Sequence, residues 1–172
     1  MKRLLFAAAA IALAATPASA GIASRTADGF TLSYERVVTA SPEAVLGAVG
    51  RPADWWSDAH TYSGAASNLS VDLRPGGCWC EALPGGGVKH GEAVLVWPDQ
   101  RIVRFDAPFG PLQGIGADAV LTMSWADVED GSARLLKWTF VVTGPGAGAM
   151  ADPVDGVMAE QFGRLADHLD RN

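Results

Sequence analysis

The chain has 172 residues, two cysteines and a formal net charge of −6, with 19% charged and 49% hydrophobic residues. That fits one domain or at most a small pair, is too apolar for disorder, and scatters its 13 Lys and Arg where a nucleic-acid binder gathers them on one face. Two cysteines build neither a disulfide scaffold nor a four-cysteine zinc site, and no internal repeat marks a solenoid or propeller.

The first twenty residues read as an address. Met1-Lys2-Arg3 is a short positive start, residues 4–15 are an unbroken apolar run, and Thr16-Pro17-Ala18-Ser19-Ala20 ends it with small residues. This is the layout of a secretory signal peptide cleaved after Ala20. The run is too short to span a bilayer, which takes about 20 apolar residues. No Cys precedes Cys78, so no lipid-modified cysteine stands at the cleavage site. Cleavage removes Lys2 and Arg3 and no acid. Residues 21–172 are then a single, still more acidic domain, expected in the periplasm or outside the cell. No stable membrane insertion is expected after cleavage, and the chain is long enough to bury a core without staples.

Residues 31–39, rich in β-branched and aromatic side chains, read as the first strand. Ser41-Pro42-Glu43 then starts a helix: Ser41 caps, Pro42 suits the first position, and Glu43 faces the positive helix end. Arg51-Pro52 breaks it, and Ala53-Asp54-Trp55-Trp56 forms a second short helix or turn. Strands follow at 68–74, 77–83, 88–97, 101–107, 119–127 and 132–143, punctuated by Pro75-Gly76, Pro84-Gly85-Gly86-Gly87 and Pro98-Asp99. Short connections favour antiparallel neighbours. Gly144-Pro145-Gly146-Ala147-Gly148 lacks the Lys and Ser or Thr of a P-loop and reads as a flexible loop over a cavity. In the last helix Asp152 is expected to cap and Pro153 to sit in the first turn. Val154, Val157, Met158, Phe162, Leu165 and Leu169 line one face of it. The pattern is α+β.

This order of elements resembles the SRPBCC superfamily, also called START-like or helix-grip. The resemblance rests on pieces in sequence: Ala40-Ser41-Pro42-Glu43-Ala44-Val45, then Pro52-Ala53-Asp54-Trp55-Trp56, Tyr62-Ser63-Gly64 and Pro75-Gly76-Gly77. Arg101-Ile102-Val103-Arg104, Gly110-Pro111-Leu112 and the final helix around Gln161 follow. Within the superfamily the chain is similar to the polyketide-cyclase-like and heat-shock-ATPase-activator-like branch. The resemblance implies a curved antiparallel sheet of about six or seven strands around a long C-terminal helix, with a ligand cavity between them. Fold is not activity, so three readings stand. The first is a non-catalytic binder of a small hydrophobic or amphipathic molecule, lipids included. The second is a polyketide-cyclase-like enzyme, and the third a protein-interaction module whose partner is unknown. Export weakens the third, because the cytosolic chaperone and its ATP would be absent. No cofactor is implied.

Strand alternation groups the cavity candidates. Leu121, Met123 and Trp125 share a face, as do Leu136, Trp138 and Phe140; Val103 and Phe105 add to them, opposite Met158 and Phe162 of the last helix. They either fill a core or line a pocket. A four-residue loop at 84–87 would pair Glu81 with His90 and Trp79 with Glu92. Trp79, Glu81, His90, Glu92, Val94 and Val96 would then share one face, and Cys78, Cys80, Lys89, Ala93 and Leu95 the other. On the cavity side Glu81, His90 and Glu92 would orient a ligand or transfer protons. On the other side they would be a half-solvated ion pair, and a loop one residue longer or shorter changes the pairing. His60 is placed near the cavity mouth or on the surface. No metal site is expected: Cys78-Trp79-Cys80 has same-face spacing, but no further Cys or His follows at a finger-like interval. In a regular strand the two cysteines stand about 6.5–7 Å apart, at the limit for a disulfide. Two thiols or a strained, easily reduced bond are expected.

Overall fold

Alternating burial along residues 29–38 and 134–143 makes two long strands that each turn one face into the core. The structure is a computed structural model that describes residues 20–128 and 131–172. Among these, eight strands form one curved antiparallel sheet: β1 Ala20–Thr26, β2 Gly29–Val38, β3 Leu69–Val71, β4 Cys78–Leu83, β5 Gly86–Trp97, β6 Ile102–Asp106, β7 Asp118–Asp127 and β8 Arg134–Thr143. Their order is β1-β2-β8-β7-β6-β5-β4-β3. Helix α1 is Pro42–Val49, α2 the single turn Pro111–Gly114, and α3 Ala151–Arg171. The α+β sheet-and-helix architecture is the expected one.

The sheet has one strand more than expected. Residues 20–26 are small and weakly apolar and carry no strand signal of their own. They pair because the edge of β2 offers its ladder across the Ala27-Asp28 turn. The leader expected over residues 1–20 lies outside the described residues, except that Ala20 opens β1. The second short helix after α1 is a series of 3-10 turns, Pro52–Asp54, Asp58–His60 and Ala66–Asn68.

Ser41 caps α1 as its sequence predicts, its Oγ accepting from the Ala44 N–H at 3.1 Å, with Pro42 in the first turn. Asp152 does not cap α3. Met150 occupies that position, and Asp152 pairs instead with Arg25 of β1 at 2.7 Å. The glycine-rich segment before α3 is no loose cover. Gly144 and Gly148 donate to the Asp28 and Ala27 carbonyls, Gly146 donates to the Asp28 carboxylate, and the Arg25 Nε–H donates to the Gly148 carbonyl. These bonds seat the segment on the β1–β2 turn.

The core lies between the inner sheet face and α3. Trp138, Phe140, Leu121, Met123 and Phe105 meet Met158, Phe162 and Leu165, all buried. Each such side chain contributes about 1.5–3 kcal/mol by leaving water. Polar ties hold the helix to one side of the sheet. Arg36 of β2 reaches Asp167 at 2.6 Å and Asp170 at 2.8 Å, and the Tyr34 hydroxyl donates to Asp155 at 2.7 Å. Burial, then the Asp155 bond, holds the Tyr34 phenol far above its ordinary titration range.

Gly91 in β5 marks the tightest contact beside the site. A Cβ there would lie 2.5 Å from Ala107 Cβ and 2.8 Å from the Asp106 carbonyl, neither of which can swing away. Gly91→Ala should therefore destabilise the fold by about 1–3 kcal/mol, the usual cost of overpacking. A fall in the urea midpoint with unchanged slope checks this.

Candidate functional site

The β4–β5 hairpin turns through two residues, Pro84 and Gly85, with Leu83 opposite Gly86. Glu81 consequently stands opposite Val88, not His90, and Cys80 opposite Lys89. The register then slips: Trp79 faces Gly91 and Cys78 faces Glu92, leaving His90 as the extra residue of a β-bulge. A bulge places two successive side chains on one side of the strand. His90 and Gly91 are both buried there, and a side chain at Gly91 would run into Ala107 and the Asp106 carbonyl at the end of β6. A second slip between Ala93 and Leu95 restores the phase.

The bulges correct the expected faces. Trp79, Glu81 and His90 are buried on the inner face, but Glu92 falls outside, ion-paired with Lys89. Val94 is exposed and Ala93 buried, the reverse of unbroken alternation. Glu92 therefore does not join the other two as a cavity acid.

Glu81 is 1% exposed and His90 6%. The His90 Nε2 lies 2.8 Å from Glu81 Oε2, which also accepts from the Tyr62 N–H at 3.1 Å, while Glu81 Oε1 accepts from the Ser63 N–H. Burial works against the charge, but the bonds from Ser63, His90 and Tyr62 outweigh it and hold the Glu81 carboxyl below its ordinary range. With Glu81 ionised, the imidazole proton sits on Nε2, and Nδ1 makes no hydrogen bond among the described residues. Tyr62 stacks on the His90 ring at 5.8 Å.

A cavity of about 390 Å³ opens here. Trp79 and Leu69 form its floor and His90 one wall. Trp56 and residues 60–62 stand at one side, Phe109 to Leu112 at another, and Met150, Pro153, Val154, Val157 and Met158 of the α3 end close it. Trp79 is the hub of the aromatic packing, with ring centroids of Trp56, Phe105 and Phe109 at 5.4, 5.1 and 5.0 Å. No Lys, Arg, Asp or Glu lines the space.

Of the expected lining, Trp79 and Met158 reach the cavity. Val103, Phe105, Leu121, Met123, Trp125, Leu136, Trp138, Phe140 and Phe162 are packed into the core beyond it. Alternation correctly turns them inward, but the seated helix fills the space above them. The residues not anticipated are Trp56, Tyr62, Phe109 and Met150, on connections, and Leu112, in the single turn of α2, where no period signals a direction. His60 does stand at the cavity wall, its Nε2 2.9 Å from Glu160 of α3. Hydrogen bonding from Ser57, then His60, holds Glu160 below its ordinary range.

On the outer face of β4 Cys78 and Cys80 are joined by a disulfide, with Cα atoms 5.4 Å apart. That separation is shorter than the about 6.5–7 Å of a regular strand, so β4 is contracted at Trp79, where the register with β5 slips.

No family profile matches the chain, and no curated protein matches it significantly. Solved structures share its fold. EF2215 from Enterococcus faecalis, a conserved protein of unknown function, is 12% identical with a TM-score of 0.57 over 88% of this chain and 75% of its own. CV1439 from Chromobacterium violaceum is 21% identical with a TM-score of 0.55 over 83% and 98%. CalU16 from Micromonospora echinospora is 17% identical with a TM-score of 0.56 over 88% and 84%. At these identities the likeness is one of fold, consistent with a helix-grip sheet and C-terminal helix.

A carboxyl whose folded-state pKa is depressed contributes stability above its unfolded pKa, lost as pH falls through the folded value. Glu81→Gln should lower stability at neutral pH by about 1–3 kcal/mol, since it unpairs buried donors. The gap from the parent protein should close as pH falls below the ordinary glutamate pKa of about 4.3 and through the lower folded-state value. Urea midpoints measured across pH test this; a gap that persists unchanged at low pH would contradict it.

Proposed function

We propose that the protein binds one small, uncharged, largely apolar molecule in the cavity above Trp79, oriented by a hydrogen bond to His90 Nδ1. The observation that carries this reading is a cavity walled mainly by aromatic and aliphatic side chains, with no Lys, Arg, Asp or Glu in its lining and two carboxylate-anchored imidazoles, the buried His90 and the more exposed His60. A charged ligand group would be buried there without a partner, at a cost of several kcal/mol. A ligand hydroxyl would find the unpaired acceptor. The SRPBCC-like resemblance supports the same reading, and the leader-like residues 1–20 support export with cleavage after Ala20.

A second reading is favoured by the Glu81–His90 pair itself. An ionised carboxylate behind Nε2–H stabilises the imidazolium that forms if Nδ1 takes a proton, the arrangement of a general base. On this reading the protein is a polyketide-cyclase-like enzyme acting on a bound carbonyl compound. Turnover abolished by His90→Gln, with binding retained, would select it.

An uncharged naphthylamine dye should bind at one molecule per chain. Val157→Arg, on the half-buried flank of α3, should weaken that binding by about tenfold or more, as a charge left in an apolar pocket requires. Calorimetry should also show 1-naphthol binding more tightly than naphthalene, by about 1 kcal/mol for the single hydrogen bond, and His90→Phe should erase the difference. A folded protein that takes up no apolar ligand defeats the binding reading.

A further inference from the structure

We propose that the Cys78–Cys80 disulfide is a thiol-exchange site, opened by low-molecular-weight thiols in the folded protein with Cys80 as the leaving sulfur. The proposal concerns the outer face of the sheet and is independent of what the cavity binds. Three observations carry it. First, the bond encloses a single residue, Trp79. Closing so short a loop removes little freedom from the unfolded chain, so the bond adds little to stability. The β4 backbone is held from both sides without it, Cys80 pairing with Ser70 and Lys89 and Cys78 with Glu92. Second, both cysteines are partly exposed on the outer face, within reach of a small thiol. Exposed disulfides are the labile ones.

Third, the charges opposite the pair are asymmetric. Lys89 stands across from Cys80 and Glu92 across from Cys78, on the same sheet face. Lys89 and Glu92 are ion-paired with each other, and by register the ammonium end of that pair belongs to the Cys80 side and the carboxylate end to the Cys78 side, so a thiolate is favoured at Cys80 over Cys78. An incoming thiolate therefore attacks the Cys78 sulfur. The Cys78–Cys80 bond breaks, a mixed disulfide forms at Cys78, and Cys80 departs as the thiolate. A second thiolate then attacks the sulfur of the first thiol in that mixed disulfide, releasing the oxidised small disulfide and the Cys78 thiolate. The protein disulfide is reduced to two thiols, and two thiol molecules are oxidised to one disulfide.

The test uses the full folded chain and millimolar glutathione, quenched with iodoacetamide and read by intact mass and fragmentation. Expected are alkylation of both cysteines in native protein, early glutathione adducts predominantly on Cys78, and unchanged cavity dye binding and near-ultraviolet circular dichroism after reduction. Lys89→Gln, an exposed change that leaves the fold intact, should slow exchange several-fold and even out the adducts. A disulfide opened only in denaturant overturns the proposal. So does loss of the near-ultraviolet signal in step with reduction, which would make the bond a staple. Adducts favouring Cys80, or a Lys89→Gln rate equal to the parent's, overturn the choice of leaving sulfur. Because the readout is covalent mass, a cavity that binds nothing would leave these results standing.

Discussion

Helix α3 is held along one side of the sheet, and the site follows from that. Arg25, Tyr34 and Arg36, all on β1 and β2, take hold of Asp152, Asp155, Asp167 and Asp170 along its length. Exposed ion pairs of this kind are worth about 0–1 kcal/mol each, so they do not supply the stability of the packing. Apolar burial does that. The ties decide where the helix sits. With α3 drawn over β1 and β2, its N-terminal half cannot also cover β4 and β5, and a gap remains. Trp56, Tyr62, Phe109 and Met150, carried by connections, wall that gap. The Arg36 fork also answers the two carboxylates at the helix C-terminus, where the macrodipole alone disfavours negative charge.

Inside the gap, the buried Glu81 carboxylate organises its surroundings. A charge that is 1% exposed requires partners, and it has a histidine and two backbone N–H groups. The same group fixes the imidazole tautomer and clips the chain at Tyr62 and Ser63 onto the sheet. Ser57 on Gln161 and His60 on Glu160 fasten the preceding stretch to α3. The cavity mouth is thus held by side-chain acceptors, not by a backbone ladder.

Periodic segments announced themselves in the sequence. The long strands, the Ser41-capped helix and the apolar stripe of α3 all follow from local pattern, and alternation put Trp79, Glu81 and His90 on one shared face without deciding which side of the sheet it was. The failures have specific causes. The hairpin loop is two residues shorter than supposed, which leaves every face as expected because the side-chain period is two; the single extra residue at His90 then turns Glu92 to the other face. No composition rule marks an extra residue in a strand; Gly91 next to His90 is the only local sign. Residues 20–26 lack strand character and are ordered by the partner that β2 offers. The cavity lining was legible only in part, because inward direction says nothing about how far a helix has descended onto the sheet.

The strand order has a consequence for how the molecule comes into being. Near one edge of the sheet β2 lies against β8, Phe30 opposite Val142, while the intervening residues build the strands on the far side of β8. Closing so long a stretch costs chain entropy before any pairing repays it, and sheets of such non-local topology form slowly. During synthesis β2 waits for β8 until the five strands between them in sequence have been made, and α3, which covers the inner face, emerges after all eight strands. Until then the aromatic face around Trp138 and Phe140 is uncovered, open to whichever chaperone or neighbouring nascent chain reaches it first.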